Sequence, residues 1–162
     1  MDYLPLYSIY KPNTKGTGSA AQFSLSAKRD DKGNESWIIF LNMGKQDKND
    51  PKNSEMDWGN TKIIMKLGMI DLQKIIHTLD LKKTQQKNKE MVIACDLFHK
   101  SKKGSTILNL KLNKNPYPGF YMIVSQQFDG QEKKQVGLSI SPDESTGLKI
   151  VLERAFLKML QW

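Results

Sequence analysis

From Ala21 to Arg29 apolar and polar residues alternate, with Phe23, Leu25 and Ala27 on one side and Ser24, Ser26 and Lys28 on the other. A period of two gives one oily and one wet face, the pattern of a half-buried β-strand. Before it, Tyr7-Ser8-Ile9-Tyr10-Lys11 is short, β-prone and followed by Pro12, so it reads as a strand that stops there. Asn13 to Ser19 reads as a flexible, lysine-flanked loop. Asp30-Asp31-Lys32-Gly33-Asn34 supplies turn chemistry, and Trp37-Ile38-Ile39-Phe40-Leu41 returns as a hairpin partner that is apolar on both faces. Gln46 to Glu55, polar and holding Pro51, is expected to be an exposed and disordered loop. A strand is predicted at Lys62 to Leu67. Leu72, Ile75, Ile76 and Leu79 then fall at helical spacing, with Gly68 as N-cap and Asp71 in the first turn. Leu81 to Glu90, rich in lysine and poor in apolar groups, reads as a linker.

The second half repeats this order. Met91 to Phe98 reads as a strand and Lys100 to Gly104 as a basic loop. Thr106 to Asn113 alternates, with Leu108, Leu110 and Leu112 opposite Asn109, Lys111 and Asn113. Asn115 to Gly119 is a turn, Phe120 to Val124 a strand apolar on both faces, and Lys134 to Ile140 a fourth strand. Ser141-Pro142-Asp143-Glu144 opens a helix with a cap residue, proline at its first position and an acidic first turn. The reading is an α+β chain, one domain over residues 1–162, with pseudo-repeats at about 6–80 and 91–160. In the last helix Leu148, Val151, Leu152, Ala155 and Met159 form the stripe expected to pack on a sheet, while Ile150, Leu157 and Leu160, with Phe156 nearby, form a second. A helix oily on two sides must bury both, which points to self-association through the C-terminal helices.

Charge narrows the class of partner. Twenty-five Lys and Arg against seventeen Asp and Glu give a formal charge of +8, which favours a polyanion. Only Arg29 and Arg154 are arginines. Lysine neutralises phosphate without the planar fork that reads guanine edges, so the balance points to backbone attraction rather than base reading. No apolar run is long enough for a transmembrane helix, and MDYLPLYSIY has no basic segment leading an apolar one. A soluble, intracellular protein that is not secreted is expected, with no membrane partner.

Catalytic and cofactor patterns are sparse. Cys95 is the single cysteine, and His77 and His99 show no metal-ligand spacing. Gly16-Thr17-Gly18-Ser19-Ala20-Ala21 fits a dinucleotide pattern formally, but a period-two strand follows where a helix must receive the pyrophosphate. No enzyme, metal, cofactor or small-molecule substrate is expected. What remains is strands that carry lysines beside aromatics. Unpaired bases expose faces that stack on such rings while lysines track the phosphates.

Tyr7-Ser8-Ile9-Tyr10-Lys11, Lys15-Gly16 through Ala20-Ala21, and Phe23-Ser24-Leu25-Ser26 resemble the opening of plant Whirly proteins, where a Tyr-Ser-Ile-Tyr-Lys strand leads into a Lys-Gly-Lys-Ala-Ala-Leu motif. Asp57-Trp58, Leu97-Phe98-His99 and Trp162 are similar to further family features. The chain departs from the family in the insertion Pro12-Asn13-Thr14. The resemblance implies a Whirly/PC4-like duplicated ββββα fold, shared with kinetoplastid mitochondrial RNA-binding proteins. It implies two antiparallel four-stranded sheets packed with helices, a homotetramer with the C-terminal helix in its interface, and single-stranded DNA or RNA as ligand. The residues expected to meet phosphates are Lys11, Lys15, Lys28, Lys62 and Lys111; those expected to meet bases are Tyr10, Trp37, Phe40 and Tyr121. Largely sequence-nonspecific binding, with single-stranded DNA favoured, is the expected function. An RNA-binding or protein-interaction role in transcription on the same fold is the alternative.

Overall fold

The computed structural model describes residues 3–49, 52, 54–87, 93–113 and 117–161. The first half holds β1 (Tyr3–Lys11), β2 (Ser19–Arg29), β3 (Glu35–Lys45), β4 (Ile63–Leu67), α1 (Met69–Thr78) and α2 (Leu81–Lys87). The second holds β5 (Ile93–Ser101), β6 (Gly104–Leu112), β7 (Phe120–Phe128), β8 (Lys134–Ile140) and α3 (Pro142–Met159). The strands form two four-stranded antiparallel sheets, ordered β1-β2-β3-β4 (sheet 1) and β5-β6-β7-β8 (sheet 2). This is the α+β duplicated ββββα arrangement expected from the sequence. Residues 114–116 of the expected turn, residues 91–92 of the expected strand, and Trp162 lie outside the described residues.

Register divides every strand into an inner and an outer face. In sheet 1 the pairs Phe23–Leu41 and Leu25–Ile39, continued by Leu41–Met65 and Ile39–Leu67, face inward. In sheet 2 the inner rows are Leu97–Leu108–Val124–Val136 and Cys95–Leu110–Met122–Leu138. These side chains, with Leu72 and Ile75 of α1 and Leu148, Leu152 and Ala155 of α3, belong to one buried cluster. Burying each large aliphatic group contributes about 1.5–3 kcal/mol. Both sheets therefore spend their inner faces on a shared core.

The helices begin where the caps predict. The Asp71 carboxylate accepts the Gly68 N–H at 2.8 Å, and Ser141 and Glu144 form a reciprocal capping box at α3. On α3, Leu148, Leu152 and Ala155 are buried, while Ile150, Leu157 and Leu160 stay exposed. The second oily stripe is thus uncovered within the protomer.

Three expectations need correction. The segment expected to be a linker contains α2, because Asp80 receives the Lys83 N–H at 3.3 Å and the buried Thr84 hydroxyl donates to the Thr78 carbonyl at 2.6 Å. Lysine and glutamine are good helix formers that leave no apolar period to read. Gln46, expected to open an exposed loop, is buried; it bridges Met56 and extends the ribbon that β3 begins. Pro51 lies outside the described residues. The Asn13 to Ser19 loop is tightly bonded rather than loose: the Asn13 amide oxygen accepts the N–H of Lys15 and of Thr17, and Gln46 Oε1 accepts the N–H of Asn13 and of Gly18.

One polar contact fastens α3 to β1. Lys11 Nζ lies 2.5 Å from Glu144 Oε1, at the end of the helix where a carboxylate already answers the dipole. Burial alone would raise the Glu144 pKa, but the Lys11 hydrogen bond and charge and the Ser141 N–H outweigh it and hold the group below the usual carboxylate range. A depressed folded-state value contributes stability above the unfolded carboxylate range and loses it as pH falls through the folded value. Lys11→Met is expected to cost about 0.5–1 kcal/mol near neutrality, as a partly exposed pair does. In urea unfolding at stepped pH, that deficit should shrink toward zero in acid. A deficit that does not change with pH would contradict the pairing.

Candidate nucleic-acid interface

The outer face of sheet 1 reads off the register in rows. Tyr10, Ala20 and Gly44 form the first, Ser8, Gln22, Asn42 and Ile64 the next, then Ser24, Phe40 and Lys66. Ser26 with Ile38 and Lys28 with Ser36 complete it. The central strand β2 offers only short or slender side chains here, so Ser24 and Ser26 lie sunk among taller neighbours. The result is a shallow trough along β2. Tyr10 stands at one side, exposed, its hydroxyl accepting from Gln22 Nε2. Phe40 stands on the other beside Lys66. At the end near Tyr10, the Trp58 ring lies over Gly44, where a Cβ would come within 2.8 Å of it.

Sheet 2 presents a similar face. Its rows are Lys111–Tyr121–Ser139, Asp96–Asn109–Ile123–Gly137, Phe98–Ile107–Ser125–Gln135 and Lys100–Ser105–Gln127. Tyr121 is 37% exposed and pairs directly with Lys111. Its ring lies over Gly137, where a Cβ would meet the hydroxyl at 2.7 Å. That absent side chain lets the ring lie close to the sheet. Each sheet therefore sets one aromatic of its third strand across from a lysine of a neighbouring strand: Phe40 with Lys66, Tyr121 with Lys111.

The residues singled out in the sequence separate by face. Tyr10, Lys28 and Phe40 share the outer face of sheet 1, and Lys111 and Tyr121 that of sheet 2. Lys15 is exposed in the loop at the Tyr10 end, and Lys62 is half-buried just before β4. Trp37 does not join Phe40. An odd number of steps along β3 turns it inward, where it packs on the edge of the core under Lys158, whose Nζ is 4.9 Å from the ring centroid. Lys11 likewise points away from Tyr10 and is held by Glu144. Phe98, 61% exposed, and Lys66 were missed. Alternation within Leu97-Phe98 and within Ile63 to Leu67 carried the signal for both, since adjacent residues must take opposite faces.

Among the described residues Lys28, Lys66, Lys100 and Lys111 form no ion pair. Their charges are available to an external anion. Other polar chemistry is structural: His99 Nε2 lies 3.0 Å from the Asp71 carboxylate that caps α1, and burial pushes the Cys95 thiol up. Among the described residues no three His, Cys, Asp or Glu gather as a metal site, and no helix is long and apolar enough to cross a membrane. A cavity of about 540 Å³ lies between α1 and α3, lined by Ile76, Phe156 and Leu157 with Asp80, Lys149 and Glu153.

If Tyr121 owes its seat to Gly137, Gly137→Val should displace the ring and cost about 1–3 kcal/mol, the range for overpacking. Thermal unfolding together with the near-ultraviolet tyrosine dichroism checks this. An unchanged spectrum and midpoint would show the ring is held otherwise.

No protein-family model matches the sequence, and no curated protein matches it. Among solved structures, the chain is similar to the crystal structure of WHY1 from Arabidopsis thaliana, with a TM-score of 0.71 at 15% identity, covering 100% of this chain and 88% of that one. At that identity the likeness is one of fold, and it agrees with the Whirly-like duplicated ββββα architecture described above.

Proposed function

We propose that this protein is a non-enzymatic, largely sequence-nonspecific binder of single-stranded nucleic acid, with DNA favoured, acting as a homotetramer through its C-terminal helices. The observation that carries the reading is that the outer face of each sheet sets an aromatic across from a lysine that forms no ion pair among the described residues. Bases stack on Tyr10, Phe40 and Tyr121, and Lys28, Lys66 and Lys111 neutralise phosphates, with Lys15 extending the cationic path at the Tyr10 end. A duplex hides its base faces, so the rings favour an unpaired strand. Scarcity of arginine fits weak sequence selectivity. Lys11 and Trp37 leave the ligand set, since one is committed to Glu144 and the other to the inner face. The exposed stripe of Ile150, Leu157 and Leu160 supports assembly through α3, because an uncovered oily helix face is costly in water.

Anisotropy titration with labelled oligothymidine, matched RNA and duplex is expected to give the tightest binding to the single strands, falling steeply with salt as counterions are released. Phe40→Ala and Tyr121→Ala should each lose about 1–3 kcal/mol of affinity, while Trp37→Ala loses stability and leaves affinity near wild type. Equal affinity for duplex and single strand would sink the reading. Ile150→Glu with Leu157→Glu is expected to yield a smaller species by light scattering with circular dichroism unchanged. A wild-type monomer at all concentrations would rule out assembly through α3.

A further inference from the structure

The outer face of β5 carries Asp96, Phe98 and Lys100 in that order, all exposed. Alternate strand residues stand roughly 7 Å apart, so an acid, a ring and a base lie in line. Beyond Lys100 the chain turns through Lys102 and Lys103, and the β7–β8 turn brings Lys133 to the same end of sheet 2, while Lys134 pairs in the row of Gln126, Thr106 and His99 and takes the opposite parity from Phe98. The two turns are fastened together. The Asp129 N–H donates across to the Lys103 carbonyl at 2.9 Å, while within the turns Gln127 Nε2 donates to the Gln131 carbonyl at 2.6 Å and the Lys103 N–H donates to Ser101 Oγ at 3.2 Å. Gly104, at φ 144°, lets β6 start against the end of β7, where any Cβ would strike the Gln127 carbonyl. These turns are therefore a fixed backbone for their lysines, and among the described residues none of Lys100, Lys102, Lys103 and Lys133 forms an ion pair. Asp129 and Glu132 are the acidic groups within these turns.

Lysines scattered for solubility would have no order relative to the ring. Here Asp96 repels phosphate on one side of Phe98, while Lys100 and the turn lysines attract it on the other. The part of a strand that continues past a base stacked on Phe98 is thereby drawn over the end of the sheet. We propose that this end of sheet 2 is a phosphate-tracking rim: a single strand lying on the outer face stacks its last base on Phe98 and leaves the protomer over Lys100, Lys102, Lys103 and Lys133. The rim rests on the single-strand reading above and adds to it a longer footprint. An acidic peptide or an anionic membrane would use the lysines without the ring.

The test uses anisotropy titration of the full chain with oligothymidines of increasing length at stepped sodium chloride. All substituted side chains are exposed, and thermal unfolding confirms that the variants fold. For K102Q/K103Q/K133Q, the slope of log affinity against log salt should become shallower by about 0.7 for each phosphate left without its lysine. The gain in affinity from the longest oligonucleotides should disappear. Phe98→Ala should weaken binding about 5- to 100-fold with the slope unchanged, and Asp96→Asn should tighten it. If wild type binds while the triple variant keeps both slope and length dependence, the rim is overturned. It is overturned equally if Phe98→Ala has no effect, or if duplex loses as much as single strand. Wild-type protein indifferent to every oligonucleotide would overturn the single-strand reading itself, and the rim with it.

Discussion

The pleat of a β-strand sends neighbouring residues to opposite faces, and in this chain one face of every strand is claimed by a core that both sheets share. Phe23, Leu41, Leu108 and Val124 meet α1 and α3 in one cluster. The buried faces of α1 and α3 are spent on this core rather than on the outer face of either sheet. Whatever oily or aromatic group falls on the other parity is then left to solvent or to a partner. Tyr10, Ile64, Phe98 and Tyr121 are exposed for this reason.

The same division explains why proximity in sequence misleads. Tyr10 and Lys11 are adjacent, yet one stands over the trough and the other reaches the N-terminus of α3. Trp37 and Phe40 are three residues apart and land on opposite faces of β3. Partners on the outer faces come instead from register, across strands: Lys66 to Phe40 and Lys111 to Tyr121. Glycine refines the arrangement. At Gly44 and Gly137 a missing side chain lets Trp58 and Tyr121 lie close to the sheet, which limits the freedom a ring must surrender when a base stacks on it.

Most of the fold was legible, since alternation in Phe23 to Lys28 and Thr106 to Asn113 and the caps at Gly68 and Ser141 are local signals. What escaped depended on distant partners. α2 has no apolar period and is started by Asp80, whose carboxylate also meets Lys149 of α3 at 3.6 Å. Gln46 is polar in sequence but is buried as the acceptor for two loop amides. The candidate site was legible in composition, lysines among aromatics, and less so in membership, because a residue's face is fixed by pairing and by the one-residue irregularities between Pro5 and Tyr7 and between Ile93 and Cys95.

Duplication gives the two outer faces a common plan, and the differences between them are therefore informative. In sheet 1 the cations stand apart along the face, Lys28 and Lys66, with Lys15 in the loop beyond Tyr10. In sheet 2 Lys111 stands beside Tyr121 toward one end of the face, Lys100 and the turn lysines crowd the other end behind Phe98, and Asp96 lies between the two rings. A ligand with evenly spaced charge and flat, separable faces satisfies the first pattern. On the second its phosphates are drawn toward the two ends and away from the carboxylate between them. Two faces derived from one plan thus differ in how charge is laid along them, and the difference comes from side chains placed on the outside of β5, where the core imposes no demand.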